Sequence, residues 1–338
     1  MQESHRRSYA IRFLIIVATL IILFCTDVST GSVAVSFRDI VKDFFGETQG
    51  TSHTILWEFR FPKAITCVLA GAGLAASGLL MQTLFRNPLA GPDVLGLSSG
   101  ASLAVGLLLL VSTGINFTWG EWSLALTASV GGALVLLIML LIARRVRDNA
   151  SLLIIGLMLA AATSSIMSVM QFVSRAEDLQ SYVIWTMGSV GNTSWKEIAV
   201  LSVIFMIGGI ISFFLLKPLN SWLLGENYAR SLGVDVTRSR IWMVIATGLM
   251  TGGITAFCGP IAFVGLAVPH LARLVMPTMN HKILLPAVMC GGAILLLFCD
   301  MLSQLTGSAQ ALPLNALTSL IGAPVVIWQV MKFKKISV

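Results

Sequence analysis

Long apolar stretches recur from one end of this chain to the other, and each is close to the roughly 20 residues that a membrane-crossing helix needs. Hydrophobic residues make up 56% of the 338 positions, charged residues make up 11%, and the mean hydropathy is +0.89. Soluble domains carry about 25% charged residues, so this chain has too few charges to cover a surface in water. The sequence therefore predicts an all-α, polytopic membrane protein whose single domain spans residues 1–338.

Ten spans fit the apolar stretches, and an even number places both termini on the same side of the membrane. The first stretch is interpreted as a retained span, because no small-x-small cleavage site of a signal peptide follows it. The predicted spans cover residues 11–29, 64–84, 93–113, 122–143, 151–173, 196–216, 240–258, 260–276, 283–301 and 314–331.

The basic residues are distributed unevenly between the two sides of this layout. With both termini inside, the inner segments carry sixteen of the 22 Lys and Arg residues, and the outer segments carry six. Cytoplasmic loops are enriched in Lys and Arg, so the asymmetry predicts cytoplasmic termini and a location in the cell inner membrane. The net charge of +7 does not point to nucleic acid, because the basic residues flank apolar runs and form no continuous stripe.

The sequence offers little chemistry of its own. It contains no HExxH motif and no Walker-type glycine loop, and its five cysteines lack metal-ligand spacing, so we expect neither an enzyme nor a cofactor site. Asp300 is the one plausible acid found within the spans, and we interpret it as interfacial. His270 is interpreted as a polar anchor at the end of a span. Because proton-driven transporters place ionisable relays inside the membrane, the energy source is expected on another chain.

Small residues are frequent in the second span, where pairs such as Gly71/Ala75 and Gly73/Ser77 are four positions apart. Such pairs let helix backbones approach closely in lipid, which predicts a compact bundle. Two connections depart from the pattern of spans and short turns: the segment 84–101, with two prolines and several glycines, and the long polar segment 218–240.

Three groups of residues carry a resemblance to a known family. They are MQTLFRNPLAGPDVLG at 81–96, GPIAFVGL at 259–266 with PHLAR at 269–273, and LP at 312–313 with GAP at 322–324. From about residue 55 to its C-terminus, the chain resembles the FecCD family of ABC importer permeases. Its structural motif residues match Arg86, Asn87, Pro88, Gly96, Gly259, Pro260, Pro269 and His270.

The resemblance implies a type II ABC importer permease fold of about ten transmembrane helices. Such a subunit forms a homodimer in the lipid bilayer, with the substrate path along the two-fold axis. Two cytoplasmic ABC ATPase subunits and a periplasmic substrate-binding protein are its expected partners. The expected cargo is a ferric siderophore, haem or a cobalamin-type chelate, and no cofactor is implied for the chain itself.

The resemblance also implies roles for particular residues. ATPase coupling maps onto the region 218–235, where a short helix Ser221–Gly233 is expected to contact the ATPase. Docking of the binding protein maps onto Arg60 and Lys63, with anchoring at the end of a span as the alternative. A cytoplasmic gate maps onto Asn149 and Ala150. The coupling residues are Gly225, Glu226, Tyr228, Ala229, Arg230, Leu232 and Gly233, and the departures from the family pattern are Gln304, Ala311 and Asn315.

Two other classes of protein stay open from the sequence. A proton-coupled secondary transporter would take up cargo without ATP, and an intramembrane enzyme or scaffold would carry polar pairs within its spans. Only an ABC permease requires a separate P-loop ATPase.

Overall fold

The structure is a computed structural model that describes residues 2–31, 51–111, 122–146, 148–304 and 312–334. Within these ranges the chain is built from helices and contains no strand. The departure at Ala311 and the charges of the first outer loop, residues 32–50, lie outside the described residues.

The described residues form thirteen helices, numbered in chain order, with short 3₁₀- and π-helical stretches next to two of them. One turn at Thr51–Thr54 and a π-helical stretch at Ile55–Arg60 lead into α2, a 3₁₀ turn at Pro92–Leu95 precedes α3, and a π-helical stretch at Leu107–Val111 continues it. The helices are α1 (Gln2–Ser29), α2 (Phe61–Leu84), α3 (Leu97–Gly106), α4 (Ser123–Arg145), α5 (Asn149–Val173), α6 (Ala176–Thr186), α7 (Trp195–Phe214), α8 (Leu216–Trp222), α9 (Glu226–Ser231), α10 (Val236–Cys258), α11 (Val264–Val275), α12 (His281–Gln304) and α13 (Leu314–Lys334).

Seven of these helical segments are long and apolar enough to cross a membrane, and three shorter apolar segments begin at Leu97, Val264 and Leu314. Together they correspond to the ten predicted spans. The central element is α2: buried residues make up 83% of the apolar, membrane-length stretch that it forms with the preceding π-helical residues, whereas they make up 11% of the corresponding stretch of α1. Helix α1 therefore lies at the edge of the bundle, and α2 forms its axis.

Most of the described arginines lie at one end of the bundle, which we call the basic end. There the Arg12 guanidinium donates to the Val275 carbonyl over 2.9 Å, and the Arg273 guanidinium donates to the Gln82 side chain over 3.0 Å. The described part of the chain begins at this end, in α1, and finishes at it, in α13. The other end, where the indole of Trp195 donates to the Trp57 carbonyl, is called the opposite end.

Two connections turn back into the bundle instead of crossing its surface. The first, residues 85–96, leaves the basic end, and the second, residues 259–263, leaves the opposite end. They meet in the middle: a Cβ on Gly265 would lie 2.6 Å from Pro92 and 2.8 Å from the Leu74 carbonyl. Helices α3 and α11 are short because each starts at this depth.

Close approach of helix backbones depends on glycines of α2. A Cβ on Gly71 would collide with the Gly292 backbone of α12, and one on Gly78 would collide with the Gly265 backbone of α11. The small-residue pairs in the sequence predicted such contacts, which supply the packing that holds helices together where no hydrophobic effect acts.

Two local expectations were wrong. The connection between α5 and α7 contains helix α6, whose first turn carries Glu177 and Asp178, where negative charge favours a helix N-terminus. The expected helix Ser221–Gly233 is instead divided into α8 and α9, because Gly225 between them has φ 106°, a conformation that ends a helix and suits glycine.

We predict that Gly71→Ala destabilises the protein by roughly 1–3 kcal/mol, the usual cost of overpacking, because its new methyl group meets backbone that cannot move away. Gly209→Ala in α7 is the matched control, since nothing lies within 4 Å of its Cβ position and alanine favours a helix. The measurement is the thermal unfolding midpoint of each purified variant in detergent. Equal midpoints for the two variants would contradict the packing described here.

Candidate functional site

A polar groove of about 430 Å³ lies where the two re-entrant connections meet. One wall comes from the first connection and α3, another from the second connection, and a third from α5 with Tyr182 of α6. The lining residues are Asp93, Ser98, Ser99, Ser102, Ser164, Met167, Ser168, Gln171, Tyr182, Pro260, Ile261 and Ala262.

Helix α5 presents Ser164, Ser168 and Gln171 to this groove. Their spacing of four and three residues places them on one helix face. The Ser168 hydroxyl donates to the Ser164 carbonyl over 3.0 Å, which satisfies its donor within the helix. Serines bonded in this way are compatible with a membrane helix and leave oxygen lone pairs to face a polar solute.

The first connection is shaped by the motif residues at its start. Arg86 has φ 48° and Gly96 has φ 73°, so both adopt left-handed conformations. Between them, the Asn87 side chain accepts from the Leu89 backbone N–H over 2.9 Å, which closes a tight turn around Pro88. Such side-chain turns are the ordinary use of asparagine beside proline. Gly96 then ends the 3₁₀ turn and lets α3 begin at mid-depth.

His270 fixes this connection to α11. It is 2% exposed, and its Nε2 donates to the Pro88 carbonyl over 2.8 Å. His270 therefore anchors the first connection from inside the protein, and its place at the membrane interface stays a prediction. Its neighbour Pro269 is buried within the same helix.

The second connection is fixed by a residue that departs from the family pattern. The Asn315 side chain accepts from the Ala262 backbone N–H over 3.1 Å, and the Asn315 backbone N–H donates to the Met187 carbonyl. Gly259 has φ 70°, and a Cβ there would lie 2.6 Å from the Trp185 carbonyl. Pro260 follows it and lines the groove.

The groove is therefore a fixed polar surface at mid-depth, bounded by helix ends and irregular backbone. Irregular backbone at this depth occurs where it lines a cavity or is buried in protein, and transporters use such broken segments around their substrate sites. Among the residues that the structure describes, no group of three or more His, Cys, Asp and Glu side chains could hold a metal ion. The groove suits hydrogen bonding to a polar solute.

At the opposite end, four charged side chains form a cluster that joins α1, α2 and α12. The Lys63 ammonium lies 2.6 Å from a carboxylate oxygen of Asp300, and Asp27 of α1 lies close enough to both to interact with their charges. Arg60 is 5% exposed and donates to the Val28 and Ser29 carbonyls, each over 2.9 Å. The cluster thus brings two basic and two acidic side chains together in a place largely closed to water.

The positions of Arg60 and Lys63 bear on their expected role. Both make contacts within the chain, which matches the alternative that they anchor the end of a span, and docking of a binding protein at them stays a prediction. Gln304, one of the expected departures from the family pattern, donates to the Asp300 carboxylate over 2.7 Å.

One statement about acids was wrong. Asp27, fully buried in the first span, is a second acid within the spans that the sequence reasoning missed, whereas Asp300, which is 5% exposed, lies in the cluster at the opposite end. The sequence could have revealed this acid, because Asp27 lies inside the predicted span 11–29.

The expected coupling residues lie together beyond the basic end, in and around α9. Tyr228 and Leu232 are 48% and 56% exposed, and Leu224 before the helix is 64% exposed. Gly233 follows the helix with φ 79°, as expected from its place after the last turn. Ala229 is fully buried and packs α9 onto the bundle, and its role in coupling stays a prediction.

The expected gate residues begin α5. The Asn149 side chain donates to the Leu84 carbonyl, at the end of α2, over 3.0 Å, and Ala150 is exposed. Asp148 caps the helix by accepting from the backbone N–H and hydroxyl of Ser151, and these bonds lower the pKa of its carboxyl. A gating role stays a prediction.

We predict that Lys63→Met lowers the free energy of unfolding by roughly 3–5 kcal/mol, because it leaves the Asp300 carboxylate buried without its ammonium partner. Lys196→Met is the control, since Lys196 is exposed at the same end. The thermal midpoints of both variants in detergent give the comparison. A Lys63→Met protein as stable as the control would instead support a role for Lys63 in docking alone.

Comparison with known proteins places this geometry in a family. The profile of the FecCD transport family matches residues 19–332. The vitamin B12 import system permease protein BtuC of Klebsiella pneumoniae subsp. pneumoniae is 39% identical over 281 residues, covering 82% of each chain. The BtuC protein of Salmonella typhi is also 39% identical over 281 residues, covering 82% of this chain and 83% of its own.

Solved structures agree with the sequence comparison. A metal-chelate type ABC transporter in an inward-facing conformation is similar with a TM-score of 0.82 and 29% identity, over 96% of this chain and 99% of that chain. PsaBC from Streptococcus pneumoniae in complex with Fab has a TM-score of 0.50 and 13% identity, over 85% and 94% of the two chains, and shares the fold alone.

These matches confirm the resemblance found in the motifs and the importer permease fold. They also confirm that the chain is a transport component and not an enzyme, because the matched relatives are permease subunits. The chain belongs to the FecCD transport family.

Proposed function

We propose that this chain is the membrane-spanning permease subunit of an ATP-binding-cassette importer that moves an iron-siderophore, haem or cobalamin-type chelate into the cytoplasm. The observation that carries the proposal is the polar groove at mid-depth, built by the motifs that define the family. A fixed surface of hydroxyl groups and irregular backbone offers many weak contacts to a large polar cargo and no tight site that would retain it.

The groove is open along one side of the chain, and a second copy is the proposed closing wall. Next to it, α5 exposes an apolar strip in which Phe172 is 90% and Val173 is 75% exposed. A homodimer with α5 of each copy beside the two-fold axis would cover these residues and join two grooves into one passage. A passage of this kind is wider than a pore within one chain, which suits a bulky chelate.

The class of cargo is supported by the relatives. The BtuC proteins are named for vitamin B12 import, and the similar structure is of a metal-chelate type transporter. Cobalamin is itself a metal chelate, so these names agree on a large metal complex as cargo.

Orientation in the membrane follows from the charges. We place the basic end, with both termini, in the cytoplasm, because Lys and Arg are enriched in cytoplasmic segments. The opposite end then faces the periplasm, where a substrate-binding protein would dock near Arg60 and Lys63. Asn149 and Ala150 lie at the inner mouth, in a position from which they can act as a gate.

The proposed ATPase contact is an apolar surface that lies beyond the basic end, formed by Leu224, Tyr228 and Leu232. Large apolar side chains exposed outside the membrane mark interaction sites when they cluster. Two ATPase subunits, one for each copy of the permease, would cover these surfaces and move α9 when they bind ATP.

A second candidate is a proton-coupled secondary transporter, and the buried acids Asp27 and Asp300 are the observation in its favour. The Lys63 ammonium already pairs with the Asp300 carboxylate, at the position where a transferable proton would bind. This pairing weighs against a proton-coupled transporter. The test is cargo uptake by vesicles containing permease, ATPase and loaded binding protein. Uptake that requires ATP and survives a protonophore supports the ABC importer, whereas uptake without ATP that the protonophore abolishes supports the alternative.

We predict that Leu232→Arg abolishes copurification of the ATPase, because it places a charge in the apolar contact surface. Thr237→Arg serves as the control, since Thr237 is exposed at the same end but outside the surface. The measurement is the amount of ATPase retained with affinity-tagged permease. Equal retention by the two variants would exclude the proposed contact.

A further inference from the structure

The buried Arg240 bridges the coupling region around α9 and the gate segment, by which we mean Val146 and residues 148–150. We propose that Arg240, in the first turns of α10, is a positioning residue that transmits movement of α9 to the start of α5. The inference rests on the proposed function, because it presumes that an ATPase moves α9. It assigns to Arg240 a role that the family motifs do not indicate.

Arg240 is almost closed to solvent, with 3% of its side chain exposed. One terminal nitrogen lies 3.0 Å from a Glu226 carboxylate oxygen in α9. Another donates to the Val146 carbonyl over 2.8 Å. One side chain thus holds both the first residue of α9 and Val146, the first residue of the gate segment.

The gate segment is held from two sides. Val146 follows α4 and accepts from Arg240, whereas Asn149 begins α5 and donates to the Leu84 carbonyl at the end of α2. The negative charge of Asp148, between them, also attracts Arg240. A shift of Arg240 therefore pulls on one side of a segment whose other side is fixed to the central helix.

Chemistry favours arginine for this task. Its planar group presents donors in fixed directions, so it can bind a carboxylate and a carbonyl at the same time, which the single ammonium group of lysine does less well. Arg230 also contacts Glu226, over 3.2 Å, but 58% of its side chain is exposed. An exposed pair of this kind contributes little, so Arg240 provides the stiff connection.

The test uses the complete complex of permease, ATPase and binding protein in vesicles. We compare Arg240→Gln and Arg240→Lys with the control Arg238→Gln, an exposed arginine one half-turn away in the same helix. Three quantities are measured: the rate of ATP hydrolysis, cargo taken up per ATP hydrolysed, and the reaction of a cysteine placed at Ala150 with a water-soluble maleimide. The five native cysteines are replaced beforehand.

For Arg240→Gln we expect ATP hydrolysis to continue while uptake per ATP falls by about tenfold, inside the roughly 5- to 150-fold range of typical couplings between sites. Trapping the ATPase with vanadate should change the labelling of the cysteine at Ala150 in the control and no longer in the variant. Arg240→Lys should fall between them. A purely structural arginine would lower assembly or hydrolysis without removing the nucleotide-dependent change in labelling.

A double-mutant cycle adds a second reading. If Glu226 and Arg240 act as one unit, Glu226→Gln combined with Arg240→Gln reduces uptake per ATP no further than Arg240→Gln alone, because contacting residues are not additive. If Arg240→Gln fails to assemble, Arg240→Lys and Glu226→Gln give the same comparison. Normal uptake per ATP and normal labelling changes in the variants overturn the inference. Lack of ATP-dependent uptake in the unmodified complex overturns the proposed function instead.

Discussion

In a hydrocarbon environment, every backbone N–H and carbonyl needs a partner within the protein, and irregular backbone survives only where protein or a cavity surrounds it. This constraint governs the meeting of the two re-entrant connections. Gly265 lies against Pro92 and the Leu74 carbonyl, and Gly78 lies against the Gly265 backbone. Without side chains at these glycines, the connections can reach mid-depth; with side chains, α11 would be pushed away and the groove would lose a wall.

The hydrogen bonds of the connections complete this arrangement. His270 binds the Pro88 carbonyl, and Asn315 binds the Ala262 N–H. The Gln82 side chain donates to the Leu266 carbonyl over 3.2 Å and thereby links α2 to the start of α11. The bonds to Pro88 and Ala262 satisfy backbone groups of the two irregular connections, which is what such backbone needs in a membrane.

At each end of the bundle, a group of charged side chains joins elements that the apolar core leaves separate. At the opposite end, Lys63 and Asp300 connect α2 with α12, and Asp27 brings in α1. At the basic end, Arg240 connects α9 with the segment before α5. Breaking either group leaves a charge without its partner in a place that water hardly reaches, which is costly. These clusters therefore hold the bundle at the levels where partners are proposed to act on it.

The sequence was sufficient for the class of fold, because apolar runs and the asymmetry of basic residues record the membrane directly. It indicated that the segment 84–101, which contains Gly96, departs from the pattern of spans and short turns, and it predicted the small-residue contacts of Gly71. It did not predict that residues 85–96 and 259–263 fold inward, since depth depends on contacts between segments far apart in the chain. For the same reason, the partnership of Asp27, Lys63 and Asp300 and the bridging role of Arg240 emerged only from the structure.

The most direct test of the central claim is whether the groove is reached by water. A cysteine at Ser168, in the groove, is compared with one at Val203, an exposed apolar residue of α7, each in a background without native cysteines. Both are treated in membranes with a charged, water-soluble thiol reagent, with and without ATP. The cysteine at Ser168 should react at a rate that changes with ATP, and the one at Val203 should stay unreactive. Equal protection of both cysteines under both conditions would contradict a polar passage at this site.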